Sequence, residues 1–239
     1  MNVIIFGASG MVGQGVLREC LLDADVERVL LVGRSSAGVA NPKVREILQK
    51  DLTDYSASSA QLAGYDACFF CLGISSAGMK EEDYRRVTYD ITVAAARALV
   101  TVNPGMTFIY VSGTGTDSSE KGRVMWARVK GATENALVAM PFKAAYMFRP
   151  GYIQPLYGVK SKTRLYALIY AFVAPLYPLL NLLVPKYMLT TEELGRAMIA
   201  VAKYSEGKSP DVHGEISQKA APKRILESAD IRVWGHVRS

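Results

Sequence analysis

The sequence predicts an α/β fold: a doubly wound parallel sheet with helices on both faces, followed by a small, mainly helical C-terminal lid. Three observations predict it. Short apolar runs alternate with longer segments of helical periodicity, a glycine-rich turn joins the first run to a helix, and an uncharged stretch follows residue 164. Because parallel strands need crossover connections, this alternation favours helices on both sides of one sheet.

Six apolar runs are the predicted strands, and turn residues or helical segments separate them. The runs are residues 2–6, 28–33, 43–49, 65–73, 106–113 and 143–151. The predicted helices between them are residues 11–22, 81–100 and 123–132. We expect residues 1–239 to form a single domain with residues 1–150 as its core.

Residues 151–239 are expected to form the lid or substrate region and the closing elements. Within them, residues 165–185 are uncharged and long enough to span a bilayer, but Pro175 and Pro178 would bend or break a helix. Two interpretations stay open: short helices packed over the sheet, which the greater frequency of buried helices favours, or a lid that dips into a membrane surface. Further predictions are a helix over residues 190–204, a strand over residues 212–217 and a helix over residues 222–229.

The basic residues are concentrated in one part of the chain. The formal net charge is +6, and residues 121–164 contain nine Lys and Arg residues against one acid, Glu134. This distribution favours an anionic ligand or surface, with a solvated face as an equal alternative beyond residue 150. The bases are not interleaved with a stacking platform or a recognised motif, so no nucleic-acid partner is expected.

Cysteine and histidine are scarce. Three cysteines cannot form a closed disulfide set, and the chain begins with a strand rather than a cleavable signal peptide, so a cytoplasmic location is expected, with peripheral membrane contact through residues 165–185 under the second interpretation. Cys68 and Cys71 form a C-x-x-C, but on a strand they would point to opposite faces as buried hydrophobes. With only His213 and His236 and no clustered ligands, no metal site is expected.

A glycine turn follows the first predicted strand. Gly7, Gly10 and Gly13 are spaced three residues apart, between that strand and a helix. Side chains there would block the tight turn, the approach of the backbone to a pyrophosphate and the packing of helix on strand. The helix N-terminus adds unpaired N–H groups and the positive end of a dipole. Strand, turn, helix and next strand follow the order of a Rossmann-type dinucleotide-binding fold.

The end of the second strand distinguishes the two nicotinamide cofactors. A protein that selects NAD usually has an acid there for the ribose 2′-hydroxyl, whereas this chain has Arg34 and Ser35, which suit a 2′-phosphate. NADP(H) is therefore expected in preference to NAD(H). Asp51 and Leu52 would flank the adenine, and Gly73 would let the backbone pass close to the ribose.

These segments together resemble the short-chain dehydrogenase/reductase superfamily, in the extended or atypical branch that includes epimerase-like and Tat-interacting-protein-like oxidoreductases. The motifs GASGMVG, VGRS, CFFCLG, YVSGTGTD, WARVKGATE and FRPG follow one another in the family's order. The resemblance implies a homodimer as an open expectation. It also implies cofactor contacts at Gly7, Ser9, Gly10, Met11, Val12, Gly13, Arg34, Ser35, Asp51, Leu52, Cys71, Leu72, Gly73, Lys130, Pro150, Gly151 and Ile153.

The resemblance further implies catalytic positions. The family uses a serine after the fifth strand and a Tyr-x-x-x-Lys on the next helix; Ser112 and Lys130 match, but Trp126 stands where the tyrosine is expected. In the family the lysine lowers the pKa of the phenol and holds the nicotinamide ribose, while the serine polarises the carbonyl. The indole of Trp126 can stack on a ring and donate a hydrogen bond, but it cannot exchange a proton near neutral pH. Thr88 stands where the extended family usually has asparagine.

The missing phenol leaves several functions open. Tyr152 is the first candidate for a substitute, ahead of Tyr84 and Tyr89. The primary expectation is an NADP(H)-dependent oxidoreductase that transfers a hydride to or from a small carbonyl or quinone-like substrate. The alternatives are an NADP(H) sensor without turnover, as NmrA-like relatives are thought to be, and a membrane-peripheral enzyme that acts on a lipid. The hydroxyl-rich loop of residues 112–117 would cap a small ligand in each case, or would be only a flexible active-site loop.

Overall fold

The computed structural model describes residues 1–158, 177, 184, 187–207 and 221–237. The predictions for residues 165–185 therefore lie outside the described residues except at Tyr177 and Val184, and the strand predicted over residues 212–217 lies outside them entirely. Within the described ranges, no helix is long and apolar enough to cross a bilayer.

The described strands are β1 (Asn2–Phe6), β2 (Arg28–Gly33), β3 (Val44–Leu48), β4 (Ala67–Phe70), β5 (Thr107–Val111), β6 (Ala144–Arg149), β7 (Tyr152–Gln154), β8 (Met188–Thr190) and β9 (Ile225–Glu227). Seven of them form one parallel sheet in the order β3-β2-β1-β4-β5-β6-β9. The remaining two, β7 and β8, form a separate parallel pair. The predicted doubly wound sheet is confirmed, and its strand order reverses between β1 and β4, where such folds bind ligands.

The described helices are α1 (Met11–Leu22), α2 (Glu81–Arg85), α3 (Ile91–Val102), α4 (Met125–Val138), α5 (Thr191–Ser205) and α6 (Ser228–Gly235). Helices α1, α5 and α6 contribute to the core on one face of the sheet, and α3 and α4 contribute to the core on the other face. The two cores bury alternate residues of the same strands: Val3 and Ile5 on one side, Ile4 and Phe6 on the other.

The two cysteines of the C-x-x-C lie on opposite faces, as predicted. Cys68 belongs to the core beneath α3, whereas Cys71 packs against the core beneath α1. Both thiols are free, and burial raises the pKa of Cys71 to about 12. Both residues therefore act as small hydrophobes rather than as a redox pair.

The helix predicted over residues 81–100 is not continuous. A π-helical turn, Arg86–Asp90, separates α2 from α3. The hydroxyl of Thr92 donates to the carbonyl oxygen of Thr88 at 2.5 Å, and such a contact to the carbonyl four residues earlier bends helices. Periodicity alone could not show this, because the apolar pattern continues through the turn. Turns of this kind often lie at functional sites.

The last predicted helix, residues 222–229, is wrong over residues 222–227. Residues Ile225–Glu227 form β9, which pairs in parallel with β6, and α6 begins only at Ser228. A three-residue strand is too short to show a period, so the unpaired edge of β6 decides its conformation. The preceding helix is confirmed as α5, with a capping box in which the Thr190 hydroxyl accepts from the Glu193 N–H at 3.0 Å.

Candidate active site

The glycine turn joins β1 to α1 and lies against the loop that follows β4. Gly7 has a φ of +80°, and a Cβ atom there would lie 2.7 Å from the backbone nitrogen of Leu72. A Cβ atom at Gly13 would lie 2.2 Å from the carbonyl oxygen of Gly7, which accepts from the Gly10 N–H at 2.9 Å. Side chains at Gly7 and Gly13 are therefore excluded by the fold itself.

The N-terminus of α1 is open to an anion. Gly10 is the N-cap residue, and within the described part of the chain no side chain caps this helix and no acid lies in its first turn. Its unpaired N–H groups and the positive end of the helix dipole are therefore available to a phosphate. Met11 and Val12 pack partly buried on the core, while the carbonyl of Ser9 accepts from the side-chain amide of Gln14 at 3.1 Å.

A pocket of about 100 Å³ connects this turn to the end of β2. Its lining includes Gly7, Ser9, Arg34, Ser35, Glu46 and Leu72. The structure thus brings the exposed Arg34 and Ser35 to the glycine turn. These residues fit a nicotinamide dinucleotide.

Glu46 is a pocket residue that the sequence analysis missed. It lies in the middle of β3, and its carboxylate accepts from the backbone N–H of Ala37 at 2.8 Å. This bond ties the loop after β2, which contains Arg34, to the neighbouring strand. The sequence did contain a signal for Glu46: it is an acid on the same side of a predicted strand as two apolar residues, Val44 and Leu48.

The residues predicted to contact adenine, Asp51 and Leu52, make contacts within the chain. The carboxylate of Asp51 accepts from the backbone N–H and the hydroxyl of Thr53, at 2.8 and 2.6 Å, and the bond from that hydroxyl is the main cause of the lowered pKa of Asp51. Leu52 is buried in the core beside Tyr55, so its side chain fixes the loop instead of presenting a surface. A Cβ atom at Gly73 would meet nothing within 4 Å, so the space beside this glycine is open.

The Pro-Gly segment after β6 is held by contacts within the chain. The carbonyl of Pro150 accepts from the Thr114 N–H at 3.0 Å, and the N–H of Gly151 donates to the Ser228 hydroxyl at 2.8 Å. A Cβ atom at Gly151 would lie 2.7 Å from the Tyr187 carbonyl oxygen, so this glycine is required by packing. Ile153 is buried in the core, and a cofactor would meet only its backbone.

A buried acid joins the predicted catalytic residues at the carboxyl ends of β5 and β6. The hydroxyl of Ser112 donates to Glu134 Oε1 at 2.5 Å, and Glu134 also accepts from Arg149, through Nε at 3.0 Å and through Nη2. Ser112 is 7% exposed and Glu134 is 2% exposed. The serine proton therefore points into the protein, and towards a substrate its hydroxyl has lone pairs to offer rather than a proton.

Lys130 lies one helical turn before Glu134 on α4. Its Nζ atom donates to the backbone carbonyl of Ser112 and lies 6.0 Å from the centre of the Tyr110 ring. Burial lowers the pKa of Lys130 to about 8, and the carboxylate of Glu134 opposes this change. The ammonium is thus held at the end of β5, and its pKa lies well below that of an ordinary lysine.

Trp126 lies one turn before Lys130 and packs against the loop that follows Ser112. A Cβ atom at Gly115 would lie 3.6 Å from Cη2 of the indole. The hydroxyls of that loop are bonded within the chain, since Thr116 donates to the Gly113 carbonyl at 2.7 Å and Thr114 to the Arg149 carbonyl at 3.0 Å. Trp126 therefore supports the loop with its ring edge.

The candidate substitute phenols have partners of their own. The hydroxyl of Tyr152 donates to Gln154 at 2.9 Å, and burial is the main cause that raises its pKa, whereas the family's chemistry requires a lowered one. Tyr84 is 2% exposed, and the ring of Tyr89 lies 4.0 Å beneath the guanidinium of Arg85.

Comparison with known protein families gives a match over residues 7–146 of the chain. A protein-family profile described as NAD(P)H-binding matches residues 7–146, which is more than half of the chain. The chain belongs to this NAD(P)H-binding family. The matched residues of the family extend from the glycine turn to β6 and include the pocket beside Arg34. The predicted nicotinamide-dinucleotide-binding domain is thereby confirmed.

Similar proteins are found in fungi. Leucinostatins biosynthesis cluster protein T of Purpureocillium lilacinum is 26% identical over 276 residues, covering 100% of this chain and 97% of that protein. Protein fmp52-2, mitochondrial, of Aspergillus oryzae is 25% identical and covers 95% of this chain and 93% of that protein. Protein FMP52-1, mitochondrial, of Scheffersomyces stipitis is 26% identical and covers 63% of this chain and 66% of that protein.

The cytoplasmic location expected from the cysteine content is contradicted by these relatives. The FMP52 proteins of several fungi are named as mitochondrial. The physical reason for the wrong inference is that a shortage of cysteine excludes a disulfide-stabilised domain but does not distinguish one intracellular compartment from another.

Solved structures share this fold, and two of them contain a bound nicotinamide cofactor. DesIV, a dTDP-glucose 4,6-dehydratase of Streptomyces venezuelae with NAD bound, has a TM-score of 0.59 at 17% identity and covers 87% of this chain and 73% of its own. WbmF of Bordetella bronchiseptica, with NAD+ and UDP bound, has a TM-score of 0.60 at 18% identity and covers 84% and 68%. A short-chain dehydrogenase/reductase of Burkholderia thailandensis has a TM-score of 0.59 at 17% identity and covers 84% of each chain. These likenesses establish the fold of the family.

Proposed function

We propose that this protein is an NADP(H)-dependent oxidoreductase of the atypical short-chain dehydrogenase/reductase type, acting on a small carbonyl or quinone-like substrate. The observation that carries the proposal is the pocket in which the glycine turn and Arg34 meet. The open N-terminus of α1 suits the pyrophosphate, and the guanidinium of Arg34 and the hydroxyl of Ser35 suit a 2′-phosphate.

The strand order supports a direction for the cofactor. Arg34 follows β2, which lies on one side of β1, whereas β4 and β5 lie on the other side. A cofactor whose 2′-phosphate contacts Arg34 therefore extends its nicotinamide half towards the ends of β4 and β5. Gly73 has open space beside it on that path, and Lys130 lies at its far end, at the carbonyl of Ser112.

The bound cofactor would supply a hydride, and the residues of this chain would hold the substrate oxygen and move a proton. Lys130 can donate a hydrogen bond to that oxygen because an ammonium has three N–H groups and Ser112 takes one of them. Trp126 presents an aromatic surface on the same helix face as Lys130, which suits a planar ring of a quinone-like acceptor.

Binding measurements with matched arginine variants test the cofactor preference. We expect Arg34→Ala to weaken NADPH binding about 10- to 100-fold, as expected for the loss of a charge-assisted phosphate contact, and to leave NADH binding within about twofold. Arg45→Ala is the control, since Arg45 is exposed on the same sheet but lines a different pocket. Equal losses for both cofactors in Arg34→Ala would contradict the NADP(H) preference.

A second candidate function is an NADP(H) sensor without turnover. It is favoured by the inward hydroxyl of Ser112 and by the absence of an ionisable group at Trp126. Steady-state oxidation of NADPH with a panel of aldehydes, ketones and quinones separates the two functions. Tight binding without oxidation by any of these acceptors would support the sensor.

A further inference from the structure

Resting on the proposed oxidoreductase function, we propose that Lys130 itself is the proton donor to the substrate oxygen and that Glu134 is its positioning residue. Lys130 would then donate the proton that, by the resemblance to the family, a tyrosine would donate.

Two of the predicted catalytic side chains cannot supply this proton. The indole of Trp126 keeps its N–H proton at neutral pH. The hydroxyl proton of Ser112 is directed at Glu134 Oε1, 2.5 Å away, with the Phe148 carbonyl at 3.2 Å as a further acceptor. While Glu134 is a carboxylate, Ser112 can accept a hydrogen bond from a substrate but has no proton to give.

The neighbouring phenols are not suited to donate this proton near pH 7 either. Tyr110 is 1% exposed, and burial raises its pKa well above that of an ordinary phenol, with the phenol of Tyr84 adding to the effect. The pKa of Tyr152 is likewise raised, mainly by burial. A proton donor that works near pH 7 needs a pKa close to that value.

Lys130 meets this requirement through its surroundings. The charged groups that act on it and on its partners from the packed elements are Glu134 on α4, Arg149 on β6 and Glu227 on β9. Arg149 and Glu134 pair with each other, and Arg149 Nη1 lies 3.7 Å from Glu227 Oε1, so the ammonium of Lys130 shares the charge of Glu134 with a guanidinium. Burial then dominates and lowers the pKa of Lys130 to about 8.

The proposed step transfers a hydride to the substrate carbon and a proton to the substrate oxygen. The substrate carbonyl carbon accepts a hydride from the reduced nicotinamide cofactor, which is oxidised, while the carbonyl oxygen takes a proton from Lys130. One N–H bond of the ammonium breaks and one O–H bond forms, leaving a neutral amine that takes a proton from solvent. Glu134 exchanges no proton in this step, and it holds the Ser112 hydroxyl and Arg149 in place.

The first test needs neither cofactor nor substrate. Lysine labelled with ¹³C at the ε position and followed by NMR across pH 6 to 11 should show one resonance that titrates near pH 8, and this resonance should be missing in Lys130→Arg. In Glu134→Gln it should titrate about one unit lower, since the carboxylate favours the ammonium. Titration of every lysine above pH 10 would overturn the inference.

The second test is the pH profile of NADPH oxidation with an accepted carbonyl substrate. Reduction needs the ammonium, so the wild-type rate should fall as pH rises through about 8. Lys130→Arg keeps the positive charge but cannot release a proton. We expect it to lose about 100-fold or more in kcat at saturating NADPH and to lose the inflection near pH 8.

The control variants separate this inference from its rivals. Glu227→Gln changes another acid that lies beside Arg149 and caps α6, and it should leave the inflection in place. Glu134→Gln should move the inflection downward together with the NMR titration. Turnover that Lys130→Arg preserves would overturn the inference alone, whereas no turnover by the wild type with any acceptor would overturn the proposed function.

Discussion

At the scale of single residues, Glu134 organises the candidate site. It is the only acid in a basic stretch of the sequence, and the structure buries it between Ser112 and Arg149. Two of the basic residues in this stretch are paired with acids, which reduces its positive charge. Arg149 pairs with Glu134, and Arg128 pairs with Glu81 at 2.6 Å. A buried ion of this kind is costly when its partners are lost, which makes its contribution measurable.

Removing the carboxylate of Glu134 should destabilise the protein strongly. Glu134→Ala leaves Arg149 buried without its main partner, and we expect a loss of about 3–5 kcal/mol in the free energy of unfolding, measured with urea. Glu82→Ala is the matched control, since Glu82 forms an exposed ion pair with Arg86, and its loss should stay below about 0.5 kcal/mol. Similar losses in both variants would contradict the buried network.

An alanine at Gly73 should test the path of the cofactor without disturbing the fold. A Cβ atom meets nothing within 4 Å at Gly73 or at the distant Gly105, so an alanine at either position should change the unfolding free energy by less than about 0.5 kcal/mol. Only Gly73→Ala should weaken NADPH binding, by about tenfold, because its methyl group would meet the cofactor. Unchanged affinity in Gly73→Ala, measured by calorimetry, would remove Gly73 from the site.

At the scale of secondary-structure elements, the contact between α1 and α5 fixes the face of the sheet beneath the glycine turn. A Cβ atom at Gly15 would lie 2.5 Å from the Cβ of Thr191, and one at Gly195 would lie 2.8 Å from the Cγ of Glu19, so each helix has a glycine where the other approaches. At the other end of the contact, the buried Lys203 pairs with Asp23 at 2.9 Å. The C-terminal helix α5 thereby belongs to the same core as the cofactor-binding segment.

The N-cap of α5 should contribute measurably to stability. Thr190 accepts from the N–H of Glu193, whose carboxylate accepts in turn from the Thr190 N–H at 2.7 Å. Thr190→Ala should lower the free energy of unfolding by about 1 kcal/mol, whereas Thr190→Ser keeps the hydroxyl and should lose only a few tenths. Equal losses in thermal or urea unfolding would show that the hydroxyl is not the cause.

At the scale of the whole molecule, Lys130 makes folding stability depend on pH. Its pKa is about 8 in the folded protein and 10.5 in the unfolded chain, so between these values the unfolded state binds more protons. Stability from this group therefore rises with pH through that window, by at most about 1.4 kcal/mol per pH unit. Below pH 8 both states are protonated and the dependence vanishes.

Comparison with the variant Lys130→Met isolates the contribution of Lys130 to the pH dependence of stability. The difference in unfolding free energy between the wild type and Lys130→Met should change in favour of the wild type as pH rises from 8 to 10, since methionine does not titrate. Urea unfolding at several pH values measures it. A difference that is constant with pH would mean that Lys130 keeps an ordinary pKa in the folded state.

The regular elements were largely predictable. The first helix and the second strand begin and end as predicted, at Met11–Leu22 and Arg28–Gly33, because apolar periodicity and glycine punctuation are local signals. The π-helical turn and β9 were not, because the apolar period continues through the turn and β9 forms only against the free edge of β6. The glycine turn and Arg34 were found together, since their spacing along the chain is fixed by one βαβ unit.

The sequence by itself determined the parallel α/β sheet, the glycine turn at its centre, and the replacement of the expected phenol by Trp126, because periodicity, spacing and residue identity are written along the chain. Only the tertiary structure decided which way the Ser112 proton points, what Glu134 binds and how far the pKa of Lys130 falls. Those properties depend on burial and on charges brought together from β5, α4 and β6, and sequence distance does not encode the dielectric environment in which they meet.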